Sequence, residues 1–236
     1  MKIAILLICT GKYISFFEQL YNSFEKYVFQ NSEKVYFVFT DSLTYKFREN
    51  VVQIFQEKES WPGPTLHRYK YFSRISPILA KYDYIFYSDI DMGAVSNIDE
   101  SILPYNGLLG VYHPGFYNTS NPRGTPETRK ESRVYIAPDT DFRYVCGGSL
   151  QGGSSYIYLQ AVENMKNVIE DEESRGIIPI FHDESVWNCF VLKNKHLVTF
   201  LTPEYCYPES WFSAPNLQGI KPKILALDKN HAEMRG

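Results

Sequence analysis

Residues 84–91 read Tyr-Ile-Phe-Tyr-Ser-Asp-Ile-Asp, and the fold follows from this stretch. Tyr84 to Tyr87 are β-prone and apolar, too short a run for a helix, so they predict a buried strand. The strand ends in Asp89-Ile90-Asp91. Two carboxylates two apart on an extended chain point the same way. No basic residue is near them in sequence, so their charge needs an answer from elsewhere. A divalent cation is the simplest one, and such oxygen ligands suit Mg²⁺ or Mn²⁺. Open α/β sheets place ligands at the carboxyl ends of their strands. Taken alone, Asp-x-Asp is a weak pattern that a solvated turn explains better. The rest of the chain changes that balance.

The chain has 236 residues, 44% of them hydrophobic and 16% aromatic, which is enough to bury a sizeable core. A net charge of -3 gives no electrostatic case for nucleic acid or an anionic membrane. Cys9, Cys146, Cys189 and Cys206 lack metal-ligand spacing and read as reduced, buried thiols. The opening MKIAILLICTGKY is too short for a signal peptide and reads as a first strand. No apolar stretch is long enough to span a bilayer. The expectation is a soluble, cytoplasmic protein.

Working outward, residues 3–9 predict a strand. Residues 14–28 carry Phe17, Leu20, Tyr21, Phe24, Tyr27 and Val28 on one helical face. Val35–Phe39 and Val51–Phe55 predict two more strands. Trp61-Pro62-Gly63-Pro64 breaks the chain before a helix expected over 65–82. This order predicts an α/β sheet with right-handed crossovers. Beyond it, Gly107–Tyr112, Val134–Ile136, Tyr144–Cys146, Val198–Leu201 and Ile224–Leu227 are expected strands. Ser155–Glu170 is an expected helix, and residues 118–133 a long ordered or gating loop. Residues 147–153, GGSLQGG, leave bare backbone where a ligand can approach closely. With no repeat and no linker, the expectation is one domain over 1–236.

Two further stretches carry chemistry. His182-Asp183-Glu184-Ser185 follows the apolar run 177–181. Ionisable groups there are costly unless paired or used, but Asp183 can equally cap a helix whose first turn favours acids. In the tail, Lys229 and Arg235 can clamp phosphate oxygens if the end folds over a site, while a frayed terminus is the usual outcome.

Taken together in order, the motifs resemble glycosyltransferase family six, the retaining α-1,3-galactosyl- and N-acetylgalactosaminyltransferases that include the blood-group A and B enzymes. The matching pieces are Gly11-Lys12-Tyr13, Asp89-Ile90-Asp91-Met92, residues 113–117 (HPGFY), Thr125 and Glu127 before Arg129, Tyr135-Ile136, Gly152-Gly153, residues 182–185 (HDES), Pro203-Glu204-Tyr205, and Lys229-Asn230-His231 with Arg235. The stretch 205–209 looks like that of compact bacterial or viral members.

The resemblance implies a GT-A type fold, a Rossmann-like mixed sheet flanked by helices, and a metal-dependent hexosyltransferase. The nucleotide-binding half would be 1–92, and the acceptor-binding and catalytic half, ending in a closing tail, 93–236. Ile8, Cys9, Thr10 and Tyr13 would line the uracil and ribose site. Arg68 would contact the donor sugar or diphosphate. Asp89 and Asp91, with Ile90 between them, would hold Mn²⁺ (or Mg²⁺) against the diphosphate of a UDP-sugar. Asp183 would bind sugar hydroxyls, and Glu184 would lie beneath the anomeric carbon as the catalytic residue. Lys229, His231 and Arg235 would close over the diphosphate. His113, Thr125, His182 and Glu209 would meet an oligosaccharide acceptor ending in galactose, fucosylated or not. The segment that reads the donor sugar maps onto Cys146, Gly147, Gly148 and Ser149 with one extra residue, so the one facing C2 stays open. Pro208 stands where vertebrate members carry an acceptor-binding acid, and Phe181 where the family has tryptophan. The expected reaction is retaining transfer of GalNAc or Gal to the 3-OH of a β-galactoside. Transfer of another UDP-hexose, and a non-catalytic glycan- or nucleotide-binding module on the same fold, are the alternatives.

Overall fold

A computed structural model of the chain describes residues 1–235, with the side chain of Arg235 outside that description. The strand expected over 3–9 is β1 (Lys2–Ile8). A 3-10 turn over Gly11–Phe16 leads into α1 (Phe17–Tyr27). Then come β2 (Glu33–Thr40) and β3 (Val51–Phe55). The helix expected over 65–82 is instead three short ones, α2 (Gly63–Leu66), α3 (Arg68–Ser73) and α4 (Ser76–Leu79). Pro77 explains the second break, because its ring and missing N–H are tolerated only in a helix's first turn.

The decisive stretch forms β4 (Tyr84–Tyr87), followed by β5 (Met92–Ala94). The second half supplies β6 (Leu108–Tyr112), β7 (Val145–Cys146), β8 (Gln151–Ser154), α5 (Ser155–Ser174) and α6 (His182–Lys193). It ends with β9 (Val198–Leu201), β10 (Tyr207–Pro208), β11 (Ile224–Ala226) and α7 (His231–Arg235).

Eight strands form one mixed sheet in the order β3-β2-β1-β4-β8-β6-β7, with β9 on the other edge of β6. The first four are parallel, and β8 runs antiparallel to both β4 and β6. β1 has helices over both faces, so Ile3 to Leu7 are all fully buried and the strand reads as a continuous apolar run. α1 covers one face through Phe17, Leu20 and Phe24. α3, α5 and α6 cover the other, where Tyr69, Phe72, Met165 and Trp187 pack. This is the mixed α/β, GT-A-like architecture. A small sheet, β10-β11-β5, lies beside it. No helix among the described residues is long and apolar enough to cross a membrane.

Two details of the second half place the site. First, β7 and β8 share one edge of β6. Cys146 and Val145 pair with Val111 and Tyr112, and Gly153 and Gly152 with Leu108 and Leu109. The intervening residues 147–150 leave the ladder as a wide bulge, a feature that often re-aims groups beside functional sites. Second, Gly152 and Gly153 are strand residues because nothing larger fits. A Cβ at Gly152 would lie 2.1 Å from the Ile85 carbonyl oxygen, and one at Gly153 2.1 Å from that of Gly107.

Val134–Ile136, expected as a strand, belongs to no sheet. Val134 and Ile136 are buried beneath the loop instead. Arg123 ties that loop together by donating to the carbonyls of Ala137 and Thr140, and the Ile136 N–H donates to the Glu127 carbonyl oxygen. Burial drove the sequence signal there, and a loop core satisfies it as well as a ladder does.

Candidate active site

Asp89 and Asp91 stand at the end of β4 and meet two cations from distant chain. Arg68, buried on α3, places Nη2 3.4 Å from Asp89 Oδ1 and stacks its guanidinium 4.2 Å over the Tyr87 ring. The Tyr87 hydroxyl donates to Asp89 Oδ1. Lys229 reaches back from the tail to pair with Asp91 Oδ2 and lies 5.3 Å from the centre of the Tyr13 ring. Burial and the neighbouring Asp89 push the Asp91 carboxyl up, and Lys229 pulls it down. The backbone holds the pair as well. Asp89 N–H donates to Gly148 O at 2.6 Å, and Leu227 N–H to Asp91 O at 2.8 Å.

The second acidic pair opens α6. Asn188 clamps that helix to β7, accepting from Val145 N–H at 2.8 Å and donating to the Val145 and Glu184 carbonyls at 2.8 Å each. This brings the bulge against the helix start. Gly147 N–H donates to Glu184 Oε2 at 2.9 Å, and Gly147 O accepts from Arg68 Nη1 at 3.2 Å. Asp183 Oδ2 lies 3.2 Å from Arg68 Nε. Arg68 therefore joins both acidic pairs. Burial pushes the Asp183 carboxyl up to about 7 although Arg68 opposes it. Burial also pushes Glu184 up to about 7, against the pull of the Gly147 N–H. Both are thus held near the protonation midpoint at neutral pH, as acid–base and nucleophilic groups commonly are.

A cavity of about 280 Å³ opens beside these groups. Ile8, Thr10, Tyr13, Arg68, Asp89, Ile90, Asp91, Lys229 and His231 line it, gathering residues from β1, α3, β4 and the tail. Cys9 lies beneath, fully buried, with its thiol pushed up by desolvation. Gly147, Gly148, Asp183 and Glu184 lie outside the cavity lining: Gly147 and Asp183 touch Arg68, Gly148 touches Asp89, and Glu184 is joined to them through Gly147. Ser149 does not reach the cavity, because its buried hydroxyl donates to the Tyr205 carbonyl. The chain before α2 adds Lys58, Glu59 and Trp61 to the wall. Sequence reasoning treated Trp61 only as part of a break and missed the other two, since nothing local marks them. Tyr87 was read only as a strand residue. The tail is tied down by Lys12 Nζ donating to Glu233 O at 3.1 Å. The expected diphosphate contact of Arg235 lies outside the described residues.

The expected acceptor residues are more dispersed. His113 packs on Phe116 and Tyr144, and burial lowers it to about 4, so the ring is neutral. Its Nδ1 accepts from Gly115 N–H at 3.0 Å, which puts the proton on Nε2. Thr125 is exposed, next to the Tyr144 hydroxyl. His182, at positive φ (49°), sets its ring edge-on to Trp61 at 5.3 Å. Glu209 instead anchors the tail by accepting from Asp228 N–H at 3.0 Å.

For a metal, the donor set fits in part. Asp89 and Asp91 offer hard oxygen ligands at the cavity edge. Among the described residues no group of three or more His, Cys, Asp or Glu side chains is assembled for a metal. An ion here would complete its shell with water and substrate oxygens, as Mg²⁺ does at phosphate sites.

The glycosyltransferase family 6 model matches residues 1–236. The chain is 32% identical over 238 aligned residues to the O-antigen biosynthesis glycosyltransferase WbnI of Escherichia coli, covering 100% of this chain and 98% of the relative. It is 29% identical over 188 residues to histo-blood group ABO system transferase 2 of Rattus norvegicus, covering 78% of this chain and 54% of the relative. Transferase 1 of the same organism is also 29% identical, over 187 residues, with 78% and 52% covered. The chain spans about half the length of these two rat relatives.

Proposed function

This chain belongs to glycosyltransferase family 6, and we propose that it is a retaining hexosyltransferase that moves GalNAc or Gal from a UDP-sugar to the 3-OH of a β-galactoside, fucosylated or not, making an α-1,3 linkage. One observation carries the reading. Glu184 is a half-buried acid held by the Gly147 N–H, and Gly147 in turn accepts from Arg68, which lines a cavity rich in phosphate-compatible cations.

Ile8, Thr10 and Tyr13 would receive the nucleoside. Arg68, Lys229 and His231 would face the diphosphate, with the tail excluding water. Asp183 would orient sugar hydroxyls. Breaking the bond from C1 to phosphate sends its electron pair to UDP and leaves positive charge on the sugar. Glu184 meets that charge from the face opposite the departing diphosphate. Either it stabilises C1 while the acceptor 3-OH attacks from the departing side, or it bonds to C1 and is then displaced by that 3-OH. In both routes the hydroxyl proton passes to the departing diphosphate and configuration is retained. Arg68 and Lys229 offset the charge on the departing diphosphate. Mn²⁺ or Mg²⁺ held by Asp89 and Asp91 would supply Lewis-acid stabilisation of the same oxygens. GalNAc is the favoured donor, because the stretch read as facing the sugar, Gly147-Gly148-Ser149, is built of small residues, two of them without a side chain.

The test is Glu184→Gln, which is nearly isosteric. It should keep UDP affinity and lose about 10²–10³-fold in kcat. A helix-capping role predicts a stability loss of about 1 kcal/mol and ordinary turnover. Near-parental kcat refutes the catalytic reading. Full transfer in excess chelator would refute the metal.

A further inference from the structure

Tyr144 is 1% exposed, and its ring is fixed on every side described. His113, Phe116 and Phe142 surround it at 5.8, 5.4 and 6.1 Å between ring centres. Even a Cβ at Gly124 would come within 2.8 Å of Tyr144 Cγ. Its backbone is held too, with N–H donating to Pro122 O at 2.9 Å and O accepting from His113 N–H at 3.0 Å. The hydroxyl at the end of this locked ring is buried and has no hydrogen-bond partner. A buried polar group left unpaired is costly and calls for an explanation. The side chains beside it are those of Thr125 and Glu184. Glu184 Oε2 takes the Gly147 N–H.

We propose that Tyr144 is a positioning residue for the Glu184 carboxylate, donating its O–H to that acid when donor and acceptor fill the site. The inference rests on the reading of Glu184 as the catalytic acid. That bond holds the carboxylate ionised and aligned under C1. The other groups acting on Glu184 are Asp183 and Asp89, which both favour its protonated form, and the Gly147 N–H, which favours the ionised one. Burial is the strongest influence, toward protonation. The Tyr144 hydroxyl already draws Glu184 toward the ionised form without completing a hydrogen bond to it.

Tyr144→Phe removes one oxygen and no hydrogen bond found in the structure. It should melt with the parent and bind UDP equally well. kcat should fall about ten- to hundredfold, the worth of a hydrogen bond to a charged group. The acid limb of the kcat–pH profile should move up by about one unit, because the ionised acid has lost a donor. A merely structural role would not move that limb. As a second probe, 3-fluorotyrosine at position 144 keeps the ring and strengthens the donor, so the limb should move down. Parental kcat with an unmoved limb in a folded Tyr144→Phe variant, or an unmoved limb with the fluorinated residue, overturns the proposal. Glu184→Gln run in parallel separates the two failures. If it is inactive while Tyr144→Phe is parental, only this inference falls. If it keeps parental kcat, the catalytic reading falls and takes this inference with it.

Discussion

Asp89 and Asp91 end a strand, and each has a cation from a distant segment against it, Arg68 and Lys229. Asp183 and Glu184 begin a helix, and only Asp183 has one, the same Arg68. Among the described residues Glu184 is met by a backbone N–H instead of a positive charge. The two pairs sit on opposite sides of one guanidinium and are handled differently. The first is balanced, which suits a pair that would share its charge with a metal and a diphosphate. The second is left short of positive charge, so Glu184 has a backbone donor but no counter-ion. On the proposed reading of Glu184, a full counter-ion would lower its free energy in the resting site and weaken its differential hold on the transition state.

The sharpest way to break this contrast is to remove what the pairs share. Arg68 is buried and touches Asp89, Asp183 and the Gly147 carbonyl together. Taking one partner from a buried ionic cluster costs about 3–5 kcal/mol, because the remaining charges stay buried without compensation. Arg68→Met should lose stability on that scale in urea unfolding at neutral pH. Arg68→Lys should recover only part of it, since one ammonium cannot reproduce three directions of the guanidinium fork. An Arg68→Met protein as stable as the parent would show that the two pairs do not depend on a common cation.

How much of this was open to sequence reasoning depended on distance along the chain. Both acidic pairs were legible because each is a run of adjacent residues at the end of an apolar segment. Their counter-ions were not. Arg68 lies 21 positions from Asp89, and Lys229 lies 138 from Asp91. The sequence argument saw unbalanced aspartates and answered with a metal, whereas the folded chain also brings its own cations. β8 escaped notice because glycine is poor in strands. Here the backbones of β4 and β6 press on it too closely for any side chain. Tyr144 read as the start of a strand, and its importance lies in an unpaired oxygen that no local pattern reveals.

A smaller effect sharpens the contrast through pH. Glu184 is raised from 4.5 to about 7 in the fold, mainly by burial. A carboxyl raised in the native state keeps more protons there than in the unfolded chain. Its stabilising contribution is therefore complete below about pH 4.5 and lost as pH rises through about 7. Glu184→Gln cannot titrate. The variant should gain on the parent steadily between those limits, by roughly 2–3 kcal/mol at the top of the window. Chemical denaturation of both proteins across that range measures it. The active site would then be costing the fold stability in return for a poised acid. A constant difference at all pH values would mean that Glu184 is ionised in the native state as freely as in the unfolded one, and the second pair would no longer differ from the first.

The smallest effect concerns which side of the bulge faces the sugar. The three small residues there are not equivalent. Ser149 turns its hydroxyl into the protein. Gly148 lies so close to the first pair that a Cβ would fall 2.0 Å from Asp89 Oδ2. Gly147 faces the second pair, where a Cβ would stand 3.2 Å from Asp183 Oδ2 and 3.5 Å from Glu184 Cβ. An alanine is therefore tight but tolerable at Gly147 and intolerable at Gly148 without moving Asp89. If the acids of the second pair lie around the sugar, Gly147→Ala narrows the space beside C2 while leaving the metal-side pair untouched. One methyl group in such a pocket discriminates by about tenfold. UDP-GalNAc turnover should fall relative to UDP-Gal by roughly that factor, with UDP affinity unchanged. Gly148→Ala should instead reduce use of both donors alike, because it displaces Asp89. The comparison is read from kcat/KM for each donor in the two variants. A Gly147→Ala protein with the parental donor ratio would place C2 away from the second pair, and the sugar would have to enter along the first.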